Sequence, residues 1–262
     1  MTSPPATTPV ATTRPMRFRC FLGAAVLSCC ALLAACSSGR EPAPLALDTE
    51  ARQAMDRVDQ LITAAHAFLG DEVPTHPRVA ALLAGQPTAD TPEVPWQQTP
   101  YIAVGVLDGR GVLLTALPSA GTGTRNMLAA ASSGPEIGDF HLIPNAYAFT
   151  LPMYRKIADD RILSALVDVE QTLGSELLEP LAASVDGIAL IANRSGRVVL
   201  ATHPALRGRA LSELGIPMAE PGAGEIADVT LDGARYRVGV AASNRIHPWQ
   251  VGIAVPRDGG ER

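Results

Sequence analysis

Between residues 186 and 256 the apolar and polar positions fall into the short runs that build antiparallel sheet. Ile188–Ala192 is an apolar run, Asn193-Arg194-Ser195-Gly196 is a turn, and Val198–Ala201 is a second apolar run. Together they spell a β-hairpin. Ala227, Val229 and Leu231 then alternate with polar neighbours, Asp232-Gly233 turns the chain, and Tyr236, Val238 and Val240 alternate again. Trp249, Val251, Ile253 and Val255 close the series. A period of two predicts strands with one face on a core and one face free. One short helix is expected over 206–214. Two strands, a helical crossing and three strands make a small α+β module.

An earlier stretch repeats the plan. Residues 101–107, the turn Asp108-Gly109-Arg110-Gly111 and residues 112–117 read as a second hairpin. At an offset of 85 positions Asp108 falls on Asn193 and Gly111 on Gly196, with apolar runs on apolar runs. A helix over 124–131 and strands near 146–154 and 161–169 follow, and a helix over 170–183 leads into the later module. A fixed period with a constant order of elements points to two copies of one unit. Before both copies, Met55, Val58, Leu61, Ile62, Ala65, Phe68 and Leu69 recur at helical spacing. They predict an amphipathic helix over 48–70 with Asp48 as its N-cap and His66 on its surface. A shorter helix over 77–85 and a Pro/Thr-rich loop over 86–100 complete the first half.

The N-terminus changes the picture, because it places the chain. Arg14, Arg17 and Arg19 precede an apolar run over 21–33, the layout of a secretory signal rather than a membrane span. Leu33-Ala34-Ala35-Cys36 then resembles the lipobox of bacterial lipoproteins. That resemblance implies cleavage before Cys36, acylation of its thiol and a lipid anchor in the cell envelope. Ser37 after the cysteine resembles the pattern for export to the outer membrane, where one exists. The start codon is either Met1 or Met16, since the Pro/Thr-rich 2–15 segment has no signal character. The expected layout is a signal over 1–36, a tether over 37–47, the first module with its helix over 48–183, the second module over 184–256 and a tail over 257–262.

Composition narrows the chemistry. The chain has 262 residues, 47% of them hydrophobic and 18% charged, enough to bury a core. A net charge of −5 without a basic patch argues against a nucleic-acid partner. All four cysteines, Cys20, Cys29, Cys30 and Cys36, precede residue 37, which leaves the folded part without disulfides or thiolate ligands. His66, His76, His141, His203 and His247 lack the spacing of a zinc site. No nucleophile elbow, zincin motif or phosphate-binding glycine loop is present. No enzyme activity, metal or cofactor is expected.

A long helix followed by two PAS-like modules resembles the double-Cache family of extracellular sensors. Asn193-Arg194-Ser195-Gly196-Arg197-Val198-Val199, His203-Pro204, Leu206-Arg207-Gly208 and Trp249-Gln250-Val251-Gly252-Ile253-Ala254-Val255-Pro256 carry the likeness to its second module. The resemblance implies a small-molecule ligand in the first, membrane-distal module. Arg125-Asn126-Met127-Leu128 occupies the place of the Arg-x-Trp-Tyr found in members that bind amino acids. The arginine matches, so Arg125 is expected to clamp a carboxylate. The aromatics do not, which disfavours an ammonium cage and leaves an organic acid open. Asp139, His141, Tyr147 and Tyr154 are the other candidate ligand contacts. Three roles are consistent with this: a sensor lipoprotein that signals through an envelope partner, a solute-binding lipoprotein serving a transporter, and a structural or assembly lipoprotein.

Overall fold

The computed structural model describes residues 44–86, 99–118, 120–143, 148–245 and 248–257. Cys36, Tyr147 and His247 lie outside the described residues. Helix α1, Pro44–Asp71, carries the expected stripe: Met55, Val58, Ile62, Ala65 and Leu69 are buried, Leu61 and Phe68 partly so, and the buried Leu47 and Ala51 extend it toward the N-terminus. It begins four residues before the expected start, so Asp48 is no N-cap but an interior residue that holds Arg52 one turn on, at 2.5 Å. Leu47, assigned from sequence to the tether, is fully buried. A 3₁₀ turn, Val73–Thr75, and helix α2, Pro77–Leu83, follow.

Two five-stranded antiparallel sheets come next. Sheet A contains β1 (Tyr101–Asp108), β2 (Leu113–Leu117), β3 (His141–Ile143), β4 (Ala148–Ala158) and β5 (Arg161–Asp168), in the order β2-β1-β5-β4-β3. Sheet B contains β6 (Ile188–Ala192), β7 (Val198–Ala201), β8 (Gly224–Leu231), β9 (Ala234–Ala242) and β10 (Gln250–Pro256), in the equivalent order β7-β6-β10-β9-β8. Helix α3, Thr122–Ala131, lies over sheet A. A π-helix, Glu170–Leu178, and α4, Glu179–Ser184, join the sheets.

The repeat extends to single hydrogen bonds. Asp108 Oδ1 accepts from the amides of Arg110 and Val112 at 2.9 Å each, and Asn193 Oδ1 accepts from those of Ser195 and Arg197 at 3.1 and 2.9 Å. Each side chain thereby closes its own turn. Gly111 and Gly196 both take positive φ, 82° and 75°, which only glycine adopts at little cost. The register slips between Val106 and Leu107 in one hairpin, and between Ile191 and Ala192 in the other, the same place at the offset of 85.

One core runs the length of α1. Val104, Val106, Leu151, Met153, Leu163, Ala165 and Val167 of sheet A join Ile191, Ala241, Val251, Ile253 and Val255 of sheet B, and Trp249 just before β10, against it. The expectation of one free sheet face is corrected here. Val238, Val240 and Ala254 turn the other way, into a second core with Leu206, Leu211, Leu214 and Ile216. Sheet B is therefore covered on both sides. That cover is not one helix over 206–214 but two 3₁₀ turns, Pro204–Leu206 and Leu211–Leu214, because Gly208 takes positive φ and breaks the spiral between them, while Gly215, also at positive φ, caps the second. The expected helix over 170–183 is π-wound as far as Leu178. Its first residue, Glu170, forms a two-pronged pair with Arg207 at 2.5 and 3.2 Å, tying the connector to the second module. Sheet A gains β3, which the apolar pattern did not show. His66 is not simply a surface residue: its side chain is 17% exposed and its Nε2 is 3.0 Å from the Tyr154 carbonyl, joining α1 to β4.

Candidate functional site

The face of sheet A away from α1 is built from small residues. Cross-strand partners share a face, so Ala103 with Leu166, Gly105 with Ser164, and Ser164 with Tyr154 lie together beneath α3. Ala103, Ala116, Leu128 and Leu166 form a separate small apolar cluster there, flanked by Leu113, Ala120 and Met127. Gly105 is the low point of this floor. A Cβ at that position would come within 2.7 Å of Leu113 Cδ1, 2.8 Å of Ser164 Oγ and 3.3 Å of Leu128 Cβ. Ser164 is fully buried, and its hydroxyl has no hydrogen-bond partner among the described residues. A buried hydroxyl without a partner costs about 1–3 kcal/mol. Thr150, on the same sheet, avoids that cost by donating to the Val167 carbonyl at 2.8 Å.

Arg125 is exposed on α3, one turn before Leu128, and its guanidinium makes no ion pair or hydrogen bond among the described residues. Tyr154 is half-buried on the floor. These two candidates border the same layer. His141 is exposed at the start of β3. Asp139 is committed elsewhere: its side chain is 14% exposed, and it accepts from Trp249 Nε1 at 3.0 Å and faces Arg194 Nε at 3.1 Å. It is a bridge from the first module to the second, reinforced by the Phe140 and Trp249 rings at 4.6 Å. Ser164, Gly105 and Leu128 were not singled out from sequence, since nothing local marks which face of a strand lies under a helix.

A second polar feature sits on α1. Asp59 is 2% exposed at a position that the apolar stripe reserves for the core, four residues after Met55 and three before Ile62. An acid in that register was the available signal. Ser243 Oγ contacts its two oxygens at 2.8 and 3.0 Å. Burial holds its pKa above the ordinary 3.8, against the opposing pull of the Ser243 hydroxyl and the Arg245 charge. With the folded value raised, the carboxyl is neutral in both states below 3.8; the cost to stability builds as pH climbs from 3.8 to the folded value and is complete above it. Asp59→Asn is therefore expected to raise the melting temperature near neutrality and to leave it unchanged at about pH 3. Thermal melts of both proteins at the two pH values check this, and an equal difference at both would contradict it.

No protein-family profile matches the chain, and no curated protein matches it. Solved structures do. The ligand-binding domain of the Pseudomonas aeruginosa PAO1 amino acid chemoreceptor PctB, in complex with L-Arg, aligns with a TM-score of 0.59 at 15% identity, over 83% of this chain and 89% of that one. The ligand-binding domain of the Pseudomonas fluorescens chemoreceptor CtaA, in complex with L-serine, aligns with a TM-score of 0.58 at 16% identity, over 82% and 98%. The chain has a double-Cache-like fold. At these identities the likeness carries the architecture and not the ligand. Among the described residues no helix is long and apolar enough to cross a membrane, and no three metal-ligating side chains cluster.

Proposed function

We propose that the chain is a lipid-anchored, extracytoplasmic small-molecule sensor that binds an organic acid between sheet A and α3 and passes its state to an envelope partner. The observation that carries the reading is the floor itself: Gly105 brings β1 close beneath Leu113 and Leu128, and among the described residues the buried Ser164 hydroxyl and the exposed Arg125 guanidinium have no partner. A carboxylate entering there would receive charge-assisted hydrogen bonds from Arg125 and one from Ser164, with Tyr154 beside it. Leu113 would have to change rotamer, and α3, which carries the buried Leu128 Cβ, would have to shift outward. The lipid anchor on Cys36 and the partner rest on the lipobox and on the double-Cache-like fold.

A structural role is the second reading, favoured by the close fit of Leu113 and Leu128 over Gly105. A panel of mono- and dicarboxylic acids screened by thermal shift separates the two, because a compound that binds only the folded state raises its melting temperature. Arg125→Ala should then weaken the best acid by about 10- to 100-fold in calorimetry, the worth of a charged hydrogen-bond pair. Unchanged affinity in that variant would remove Arg125 from the site.

A further inference from the structure

The side of α1 that faces sheet B carries a cleft the proposed acid site does not use. Arg52, Met55, Asp56 and Asp59 follow one another along one stripe of the helix. With Gly222, Ala242, Ser243 and Asn244 opposite, they line an open cleft of about 210 Å³. The balance of donors and acceptors inside is uneven. A carboxylate presents about four acceptor positions, yet the buried Asp59 receives one hydroxyl proton, from Ser243. Asp56, one turn earlier and exposed, has no hydrogen bond or ion pair among the described residues. The cation nearest in sequence is already engaged: Arg52 Nη2 is 2.5 Å from Asp48 Oδ2, and its Nε points to the Asp48 carbonyl at 3.4 Å. Arg245 is felt electrostatically by Asp59 but forms no ion pair with it. Across the cleft Gly222, at φ 77°, keeps the wall open beside the Asn244 amide, which a Cβ there would approach to 3.1 Å.

We propose that this cleft binds a small organic cation, with its ammonium or guanidinium group held between Asp59 and Asp56. A group with several N–H donors supplies what the two carboxylates lack. It also places positive charge where a buried negative charge is otherwise under-compensated. Met55 lies beside them and gives a short aliphatic stem an apolar surface. A bare metal ion fits less well, because no third carboxylate, histidine or cysteine joins the two aspartates among the described residues. The site is formed by α1 and the β9–β10 turn, so an occupant would join the helix to the second module.

Calorimetric titration of the full chain with putrescine, and separately with methylguanidine, tests this. At least one of them is expected to bind. Asp59→Asn should weaken it by about 10- to 100-fold. Asp56→Asn, a solvent-facing change that leaves the core untouched, should weaken it by roughly threefold to tenfold. Far-ultraviolet circular dichroism of both variants establishes that they are folded. No binding of either cation at millimolar concentration overturns the proposal, as does binding that neither substitution weakens. The organic-acid screen of sheet A uses no cation, so either site can fail without the other.

Discussion

Trp249→Ala is expected to lower the melting temperature by roughly 6–20 °C, the largest fall of any single truncation in the second module. The indole is fully buried in the core along α1. Removing a buried tryptophan side chain costs about 3–5 kcal/mol, and in a domain of this size each kcal/mol shifts the midpoint by about 2–4 °C. The loss also reaches across the modules, since Trp249 donates to Asp139 and packs at a tilt against the Phe140 ring. Trp249→Phe keeps most of the apolar volume and removes only the donor, leaving Asp139 with Arg194. It should cost about 1 kcal/mol. Thermal denaturation followed by circular dichroism measures both; equal effects would mean that the indole volume contributes little.

Gly239→Val should destabilise the chain by about 3 kcal/mol, at the upper end for overpacking. The cause is a backbone contact. A Cβ at Gly239 would stand 2.6 Å from the Leu47 carbonyl oxygen and 2.8 Å from Leu47 Cγ, so α1 must lift from β9. Gly252 makes the control. Its Cβ would meet only the Leu190 side chain, at 3.0 Å and beyond, which can turn aside. Gly252→Ala is expected to be much milder in urea unfolding. Because α1 serves the cores of both sheets, the lift at Gly239 should loosen both modules in one transition rather than release the second alone.

The parts of this fold that were legible in the sequence are those whose cause is local. Asp108 and Asn193 close their turns with their own side chains, so the turn and its repeat at an offset of 85 could be read directly. The α1 stripe was legible for the same reason, although its start was not: Pro44–Leu47 joins the helix because Leu47 packs on Gly239, almost two hundred residues away. The strands of sheet B alternate as half-buried strands do, yet both faces are covered, one by α1 and one by the 3₁₀ turns. No pattern within a strand reports what covers its second face. The three-residue β3 is too short to show a period at all. Among the candidate ligand contacts, chemistry was legible and commitment was not. Asp139 has the right chemistry, but its partners Arg194 and Trp249 lie in the other module. Ser164 matters because it is buried beneath α3 without a partner among the described residues, a tertiary fact.

The claim that sheet A and α3 hold the ligand is tested most directly by one thermal-shift comparison. The wild-type chain and Gly105→Val are screened side by side against the same carboxylic acids. The valine Cβ would press on Leu113 Cδ1 and Ser164 Oγ at 2.7 and 2.8 Å, in the place a ligand would have to open beneath α3. A compound at about 100 times its Kd should stabilise the wild type by about 2.7 kcal/mol, a rise of roughly 5–11 °C, and should leave the variant's midpoint where it was. No rise with any compound, or an equal rise in both proteins, would contradict the claim.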